Sequence, residues 1–341
     1  LITYLRTFQR RRGERPLESR KVKLNGGATL EGVVLGEGFY DLQIRGAADK
    51  KIHLLRKVVG TDTYREVTSD TNWHTYNGET GGNRFTTLTQ INKQNVSQLA
   101  PKWVFTVPNA GRLQLTPVVV DGIMYVTAPN TIYALDAGSG RQLWRFQIPR
   151  QPGLTTGGSS NRGVGVAGDR VFIETDNAHI VAVNRFTGEQ LWNSEIADWH
   201  QNYFATSAPL PAGDLVITGV GGGEHGANGL VVAFEQATGK EVWRFHTVPR
   251  KGEPGYESWQ GREPEHGGAP TWFTGSYDPE LDTVYWPTGN PSEEYNGDLR
   301  QGDNLYSDSI LALDRKTGKL KWYYQFTPHD LWDWDSTETS I

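Results

Sequence analysis

The sequence predicts an all-β protein built as a β-propeller, and three features predict it. The first is one hairpin pattern written four times: Ala134-Leu-Asp136…Gly140…Trp144, Ala182-Val-Asn184…Gly188…Trp192, Ala233-Phe-Glu235…Gly239…Trp243 and Ala312-Leu-Asp314…Gly318…Trp322. In every copy Ala stands ten residues before Trp and Gly four before it. The Gly supplies the positive φ that a tight hairpin turn demands. The second feature is the interval, 48, 51 and 79 residues between successive Trp. A recurring unit of about 40–50 residues is how propeller blades show themselves, and the last interval carries an insertion. The third is composition: 40 Gly and 12 Trp in 341 residues suit tight turns and stacked indoles.

In chain order, Leu1, Ile2, Leu5 and Phe8 share one face of a short helix over residues 1–12. Arg10–Arg12, Arg15 and Pro16 end it; the basic run reads as a solvated helix end, with an anionic partner as the competing reading. Over residues 15–68 the period changes to two, with Val22 and Leu24, then Tyr40, Leu42 and Ile44, then Ile52 and Leu54, punctuated by Gly26-Gly27, Gly36, Gly38 and Gly46. This predicts a small module of four or five strands. The propeller runs over residues 69–341. Trp103 precedes Trp144 by 41 residues and marks a further blade, giving about five. Closure requires the first and last blades to pair, since an open edge invites aggregation. A larger propeller missing its last blades therefore fits better than a complete five-bladed one. The chain opens on Leu1 without Met and is read as a fragment.

Charge and missing motifs exclude several function classes. The net charge is −5, but residues 1–23 carry eight Lys/Arg against two Glu, leaving about −11 for the remainder. Nucleic acid is thus not expected as a partner. With no cysteine there are no disulfides, thiolate metal sites or Cys nucleophiles. The eight His show no HExxH or i,i+4 pair, which argues against zinc. Nucleotide-binding glycine motifs and a Gly-x-Ser-x-Gly elbow are absent, as is an apolar run long enough to span a membrane.

Candidate chemistry lies in loops outside the blade repeats. In Gly221-Gly-Gly-Glu224-His225-Gly226 a carboxylate sits in a loop whose backbone can approach a ligand, or is a surface Glu on a flexible turn. Trp272, after Gly267-Gly-Ala-Pro-Thr, is either a stacking floor for a flat ligand or a core Trp. In His329-Asp330-Leu-Trp332-Asp333-Trp334-Asp335, Asp333 and Asp335 would point the same way on an extended segment. Two like-facing carboxylates repel unless a cation lies between them or one binds a proton. With Glu224 and the Asn290 amide they would form an all-oxygen cage for a hard ion. Asp333, flanked by two Trp, is expected to be buried; Asp330 and Asp335 taken singly read as surface turn acids. Arg162 in Ser159-Ser-Asn-Arg162 could bind an anionic oxygen or stand on the surface, and Gln114, just before Pro117-Val-Val-Val, could face a ligand or be a turn residue.

Taken together, these residues resemble the pyrroloquinoline quinone (PQQ)-dependent alcohol dehydrogenases, over roughly Asp70 to Ile341. The resemblance rests on Trp73…Tyr76…Arg84…Leu88…Gln90-Ile91…Asn95-Val96…Leu99…Trp103, the Gly/Trp repeats, Gly222-Gly-Glu224, Gly289-Asn290-Pro291, Gly302-Asp303-Asn304-Leu305 and Thr327-Pro-His329-Asp330…Trp332-Asp333. It implies an eight-bladed propeller of which about five blades are present. It also implies that Glu224 and Asn290 ligate a metal ion beside the quinone and that Asp333 joins them as a ligand. Asp333 would serve as the general base, taking the alcohol proton while hydride passes to the quinone. Trp272 would stack beneath the cofactor, Arg162, Gln114 and Thr206 would hydrogen-bond it, and Gly222 and Gly223 would leave room for its ring. Many members carry a vicinal Cys pair where Ser159 and Ser160 stand here, so a disulfide at the quinone is not expected. Asp335 matches the extra carboxylate of the lanthanide-using branch, which by Coulomb attraction favours a trivalent ion, with Ca²⁺ close behind. Residues 1–14 resemble the closing helix of a cytochrome c domain, which implies haem c upstream. The resemblance further implies a small alcohol substrate, a cytochrome c or quinone electron acceptor and a periplasmic location. A different class of function remains open: a non-catalytic propeller serving as a binding or assembly scaffold, which has no need to keep Glu224, Asn290 and Asp333 together.

Overall fold

The computed structural model describes residues 18–37, 41–58, 60–66, 72–84, 86, 88–108, 111–154, 160–261 and 264–340. The expected helix over residues 1–14 lies outside them. The chain divides into two compact units, Leu1–Ser69 and Asp70–Ile341.

The first unit is an antiparallel meander of β1 (Ser19–Lys23), β2 (Thr29–Glu37), β3 (Asp41–Gly46), β4 (Ile52–Lys57) and β5 (Tyr64–Glu66). Period-two alternation buries Val22, Leu42 and Ile44 on one face, where they pack with Val34 and Leu55. Leu55 stands opposite Leu42 in the ladder.

The second unit holds four antiparallel four-stranded sheets in sequential order, the blades. They are β6–β9 (Val118–Val120, Ile123–Ala128, Thr131–Asp136, Gln142–Gln147), β10–β13 (Gly165–Ala167, Arg170–Glu174, His179–Asn184, Gln190–Glu195) and β14–β17 (Leu210–Ala212, Leu215–Thr218, Leu230–Glu235, Glu241–His246). A short ribbon then pairs β18 (Gln260–Gly261) with β21 (Arg300–Gln301). The fourth blade is β19 (Ser276–Asp278), β20 (Thr283–Pro287), β22 (Ser309–Asp314) and β23 (Leu320–Gln325). The first strands β6, β10, β14 and β19 touch in succession and so line the hub. The ribbon and its loops account for the long interval between Trp243 and Trp322.

The repeated residues have a shared structural reason. In each blade the Ala stands directly opposite the Trp across the last hairpin, with a bulge immediately after it. Each Ala is fully buried, so only a small side chain fits. The Gly residues hold φ of 68–73°. They also meet the Trp of the preceding blade: a Cβ on Gly140, Gly188, Gly239 or Gly318 would lie 2.5–2.7 Å from Trp103, Trp144, Trp192 or Trp243. Each of these indoles donates its N–H, at 2.7–3.1 Å, to a backbone carbonyl of that next blade: Ala137, Arg185, Gln236 and Arg315 in turn. The motif is thus a joint between blades as well as a hairpin. Trp103 docks like the others, yet its own segment joins no four-stranded sheet among the described residues. The fifth expected blade is present as an indole without a paired sheet.

Candidate functional site

The cofactor-binding candidates occupy equivalent places in successive blades. Gln114, Arg162, Thr206 and Trp272 stand three or four residues before β6, β10, β14 and β19, while Glu224 and Asn290 follow β15 and β20. The start of a first strand and the end of its antiparallel partner lie at the same edge of a sheet. Topology therefore delivers both sets to one end of the propeller.

A cavity of about 380 Å³ opens there, lined by Gln114, Ser160, Arg162, Thr206, Glu224 and Trp272 among others. The half-buried Arg162 donates from Nη1 to Thr206 Oγ1 at 2.6 Å and lies 4.4 Å from the centroid of the Trp272 ring. Burial holds the guanidinium below the usual arginine range. Among the described residues it forms no ion pair, so a partly desolvated cation stands ready for an anionic or carbonyl oxygen. The guanidinium covers one face of the indole, and a flat ligand stacking on that face must displace it.

At Gly222 and Gly223 the surrounding backbone and side chains themselves leave no space for a Cβ. Gly222 lines the cavity, but its φ of +112° and the Asn202 carbonyl, 2.4 Å from a would-be Cβ, are what exclude a side chain. Gly223 packs against Pro270, 2.9 Å from a would-be Cβ, and does not line the cavity. Ser159 lies outside the described residues. Phe204, Arg112 and His225 also line the cavity; the sequence carried no signal for them beyond their nearness to Thr206, Gln114 and Glu224.

The acidic loop departs from expectation in shape. Residues 333 and 335 are not extended: their φ angles are +61° and +52°, and that of His329 is +49°. Asp333 is exposed rather than buried, and Trp332 and Trp334 are exposed beside it. The fully buried acid is Asp330, which single-residue reasoning placed on the surface. The left-handed turns undo the alternation that a strand would impose, so the indoles give Asp333 no cover. Asp333 accepts a bond from the Tyr295 hydroxyl at 3.3 Å, and Asp335 accepts the Asn290 backbone N–H at 3.0 Å. A Cβ at position 289 would lie 2.3 Å from Asp335 Oδ1, so Gly289 lets the loops meet.

Asp335 is pushed up to about 6, chiefly by burial and further by the carboxylates of Asp333, Glu224 and Asp330. Two of the expected acidic ligands, Asp333 and Glu224, thus act electrostatically on the third, Asp335. The donor set is oxygen only, the chemistry a hard cation takes. Among the described residues, however, no three His, Cys, Asp or Glu side chains form a ready-made metal cluster. The loops carry the right donors, with Asp333 and Asp335 turned to local hydrogen bonds.

A profile of the family "PQQ: Glucose/ethanol/alcohol dehydrogenase, beta-propeller domain" matches residues 73–341. The chain is 38% identical over 275 residues to the quinohemoprotein alcohol dehydrogenase ADH IIB of Pseudomonas putida, covering 75% of this chain and 39% of that protein. It is 35% identical over 295 residues to the lanthanide-dependent methanol dehydrogenase of Methylacidiphilum fumariolicum, covering 79% and 48%. The solved structure of quinohemoprotein alcohol dehydrogenase ADHIIG from Pseudomonas putida HK5 superposes with a TM-score of 0.74 at 36% identity, over 79% of this chain and 42% of that one. The chain spans less than half the length of these relatives. Four Trp-jointed blades, a single loop end bearing the cavity and a family match over residues 73–341 lead to one conclusion: the chain belongs to the PQQ-dependent glucose/ethanol/alcohol dehydrogenase β-propeller family.

Proposed function

We propose that this chain forms part of the catalytic propeller of a PQQ-dependent alcohol dehydrogenase, with the cofactor in the cavity above Trp272 and a lanthanide(III) or Ca²⁺ ion beside it. The observation that carries this is the pairing of Arg162 with Trp272 in the lining of a cavity that Glu224 also lines: a cation with no ion pair among the described residues, a flat aromatic surface and a metal-type oxygen donor.

The residues fit the two groups. Arg162, Gln114, Ser160 and Thr206 offer polar groups to a polycarboxylate quinone, and Trp272 offers a stacking surface once the guanidinium turns aside. Gly222 brings backbone close to it. Glu224, Asn290, Asp333 and Asp335 offer oxygens to the ion. A third carboxylate at 335 adds charge, which favours a trivalent ion, in keeping with the similarity to a lanthanide-dependent relative. When bound, the quinone supplies the electron acceptor for alcohol oxidation and the ion supplies Lewis acidity. Asp333 acts as the general base: its exposed carboxylate, steadied by Tyr295, accepts the hydroxyl proton of a small alcohol. Arg162 keeps a fixed positive charge where the cofactor binds, and the hydrophobic indole excludes water from one face. Electrons leave to a cytochrome c or quinone acceptor, haem c belongs to an upstream domain, and the enzyme works in the periplasm.

The test is alcohol oxidation by the intact protein reconstituted with PQQ and either La³⁺ or Ca²⁺, with an artificial electron acceptor. The reading predicts metal-dependent turnover that drops by at least about 100-fold in Asp333→Asn. Absence of turnover across a panel of alcohols, with unchanged indole fluorescence at micromolar PQQ and metal, would leave only a binding scaffold.

A further inference from the structure

The two carboxylates at 333 and 335 occupy left-handed backbone that non-glycine residues rarely adopt, and something must hold them there. The structure shows what does. Asp330 has no exposed surface, and its two oxygens are divided between two backbone amides: Oδ1 accepts from Trp332 N at 3.1 Å and Oδ2 from Trp334 N at 3.0 Å. One side chain thereby fixes the amides on either side of Asp333, and the second of them immediately precedes Asp335.

Asp330 is itself anchored. Its backbone carbonyl accepts from Arg300 Nη2. Arg300 is only 3% exposed and spends its other donors locally: Nη1 on Asn304 Oδ1 at 2.9 Å, Nε and Nη2 on the Glu293 carbonyl at 3.2 and 3.0 Å, and Nη2 on the Glu294 carbonyl at 3.2 Å. Asn304 returns a bond from Nδ2 to the Arg300 carbonyl at 2.7 Å, and His329 Nδ1 lies 2.9 Å from the Gly302 carbonyl. A buried guanidinium thus ties the ribbon loop and the start of the acidic turn into one piece. A fully used Asx-type cap at Asp330 then sets the direction of the chain through Asp333 and Asp335.

We propose that Asp330 is a positioning residue for the cation site: it touches neither ion nor substrate, but by holding the amides of 332 and 334 it sets the course of the turn that offers Asp333 and Asp335 to the ion, with Arg300 as its anchor. This rests on the metal-binding reading given above. A buried acid that only stabilised the fold could sit anywhere in the core. This one spends both oxygens on the short stretch that carries two of the four proposed ligands.

The test uses the intact protein and Tb³⁺ alone, read by luminescence titration and by the decay-lifetime difference between H₂O and D₂O, which counts waters on the ion. Asp330→Asn keeps the size of the side chain but puts an NH₂ where one amide needs an acceptor. Tb³⁺ affinity is expected to fall about 10- to 100-fold, the usual effect of removing a group that orients a ligand, with about one more water on the bound ion. Arg300→Lys, which keeps the charge and loses the multidentate grip, is expected to shift both readings in the same direction by less; it decides the matter if Asp330→Asn does not fold. Unchanged affinity and hydration in a folded Asp330→Asn protein would overturn the proposal while leaving the metal site intact. No Tb³⁺ uptake by the wild type would overturn the metal-binding reading and this proposal with it.

Discussion

Glu174 shows how far burial can move a single group. It closes β11 with no exposed surface, accepting from the Ser207 hydroxyl at 2.5 Å and from that of Thr218, and burial pushes its carboxyl up to about 8. Because the folded value lies above the unfolded one of 4.5, the folded state holds a proton that the unfolded state has lost. This favours folding most below about pH 4.5, and the advantage fades as pH rises toward 8. Glu174→Gln removes the titration while keeping an acceptor oxygen. The variant should gain on the wild type by a few kcal/mol between about pH 5 and pH 9 in thermal unfolding; a gap that does not change with pH would contradict the account. Glu174 carried no sequence signal, because burial of one acid in a strand of apolar neighbours is decided by the blades around it. The same holds for Asp330 and Asp333, whose exposure is exchanged by left-handed turns that leave no periodic mark. By contrast, Arg162, Trp272 and Glu224 stood out in loop stretches outside the repeats and Thr206 came from the family resemblance alone; all four line one cavity.

At the scale of the element, the Ala/Gly/Trp offset was readable as a hairpin, and its second role was not. The sequence shows Gly and Trp four residues apart within one blade, whereas the contact that matters joins each Gly to the Trp of the blade before. Gly239→Ala tests this joint. It forces a Cβ into a φ of +72° and to within 2.6 Å of the Trp192 ring, combining backbone strain with overpacking. The expected cost is about 2–4 kcal/mol in urea unfolding of the intact protein. A cost within about 0.5 kcal/mol, as for an ordinary surface substitution, would mean that the blades are not joined through this contact.

At the scale of the molecule, the candidate site depends on how four blades share one end. Gln114, Arg162, Thr206 and Trp272 come from four blades in turn, and the proposed ion ligands come from three separate loops, at 224, 290 and 333–335. The propeller architecture was legible because hairpin chemistry repeats at a fixed offset. How the candidate ligand side chains are disposed was not, because the loops that bear them share no repeated pattern to compare. The carboxylates of Asp333 and Glu224 act electrostatically on Asp335. The central claim is that they share one cation beside a flat cofactor. Anomalous diffraction from crystals of the intact protein grown with PQQ and a lanthanide tests it most directly. The account predicts one strong peak about 2.3–2.6 Å from oxygens of Glu224, Asn290, Asp333 and Asp335, next to planar density over Trp272. A peak elsewhere on the molecule, or these four side chains divided between separate positions, would contradict it.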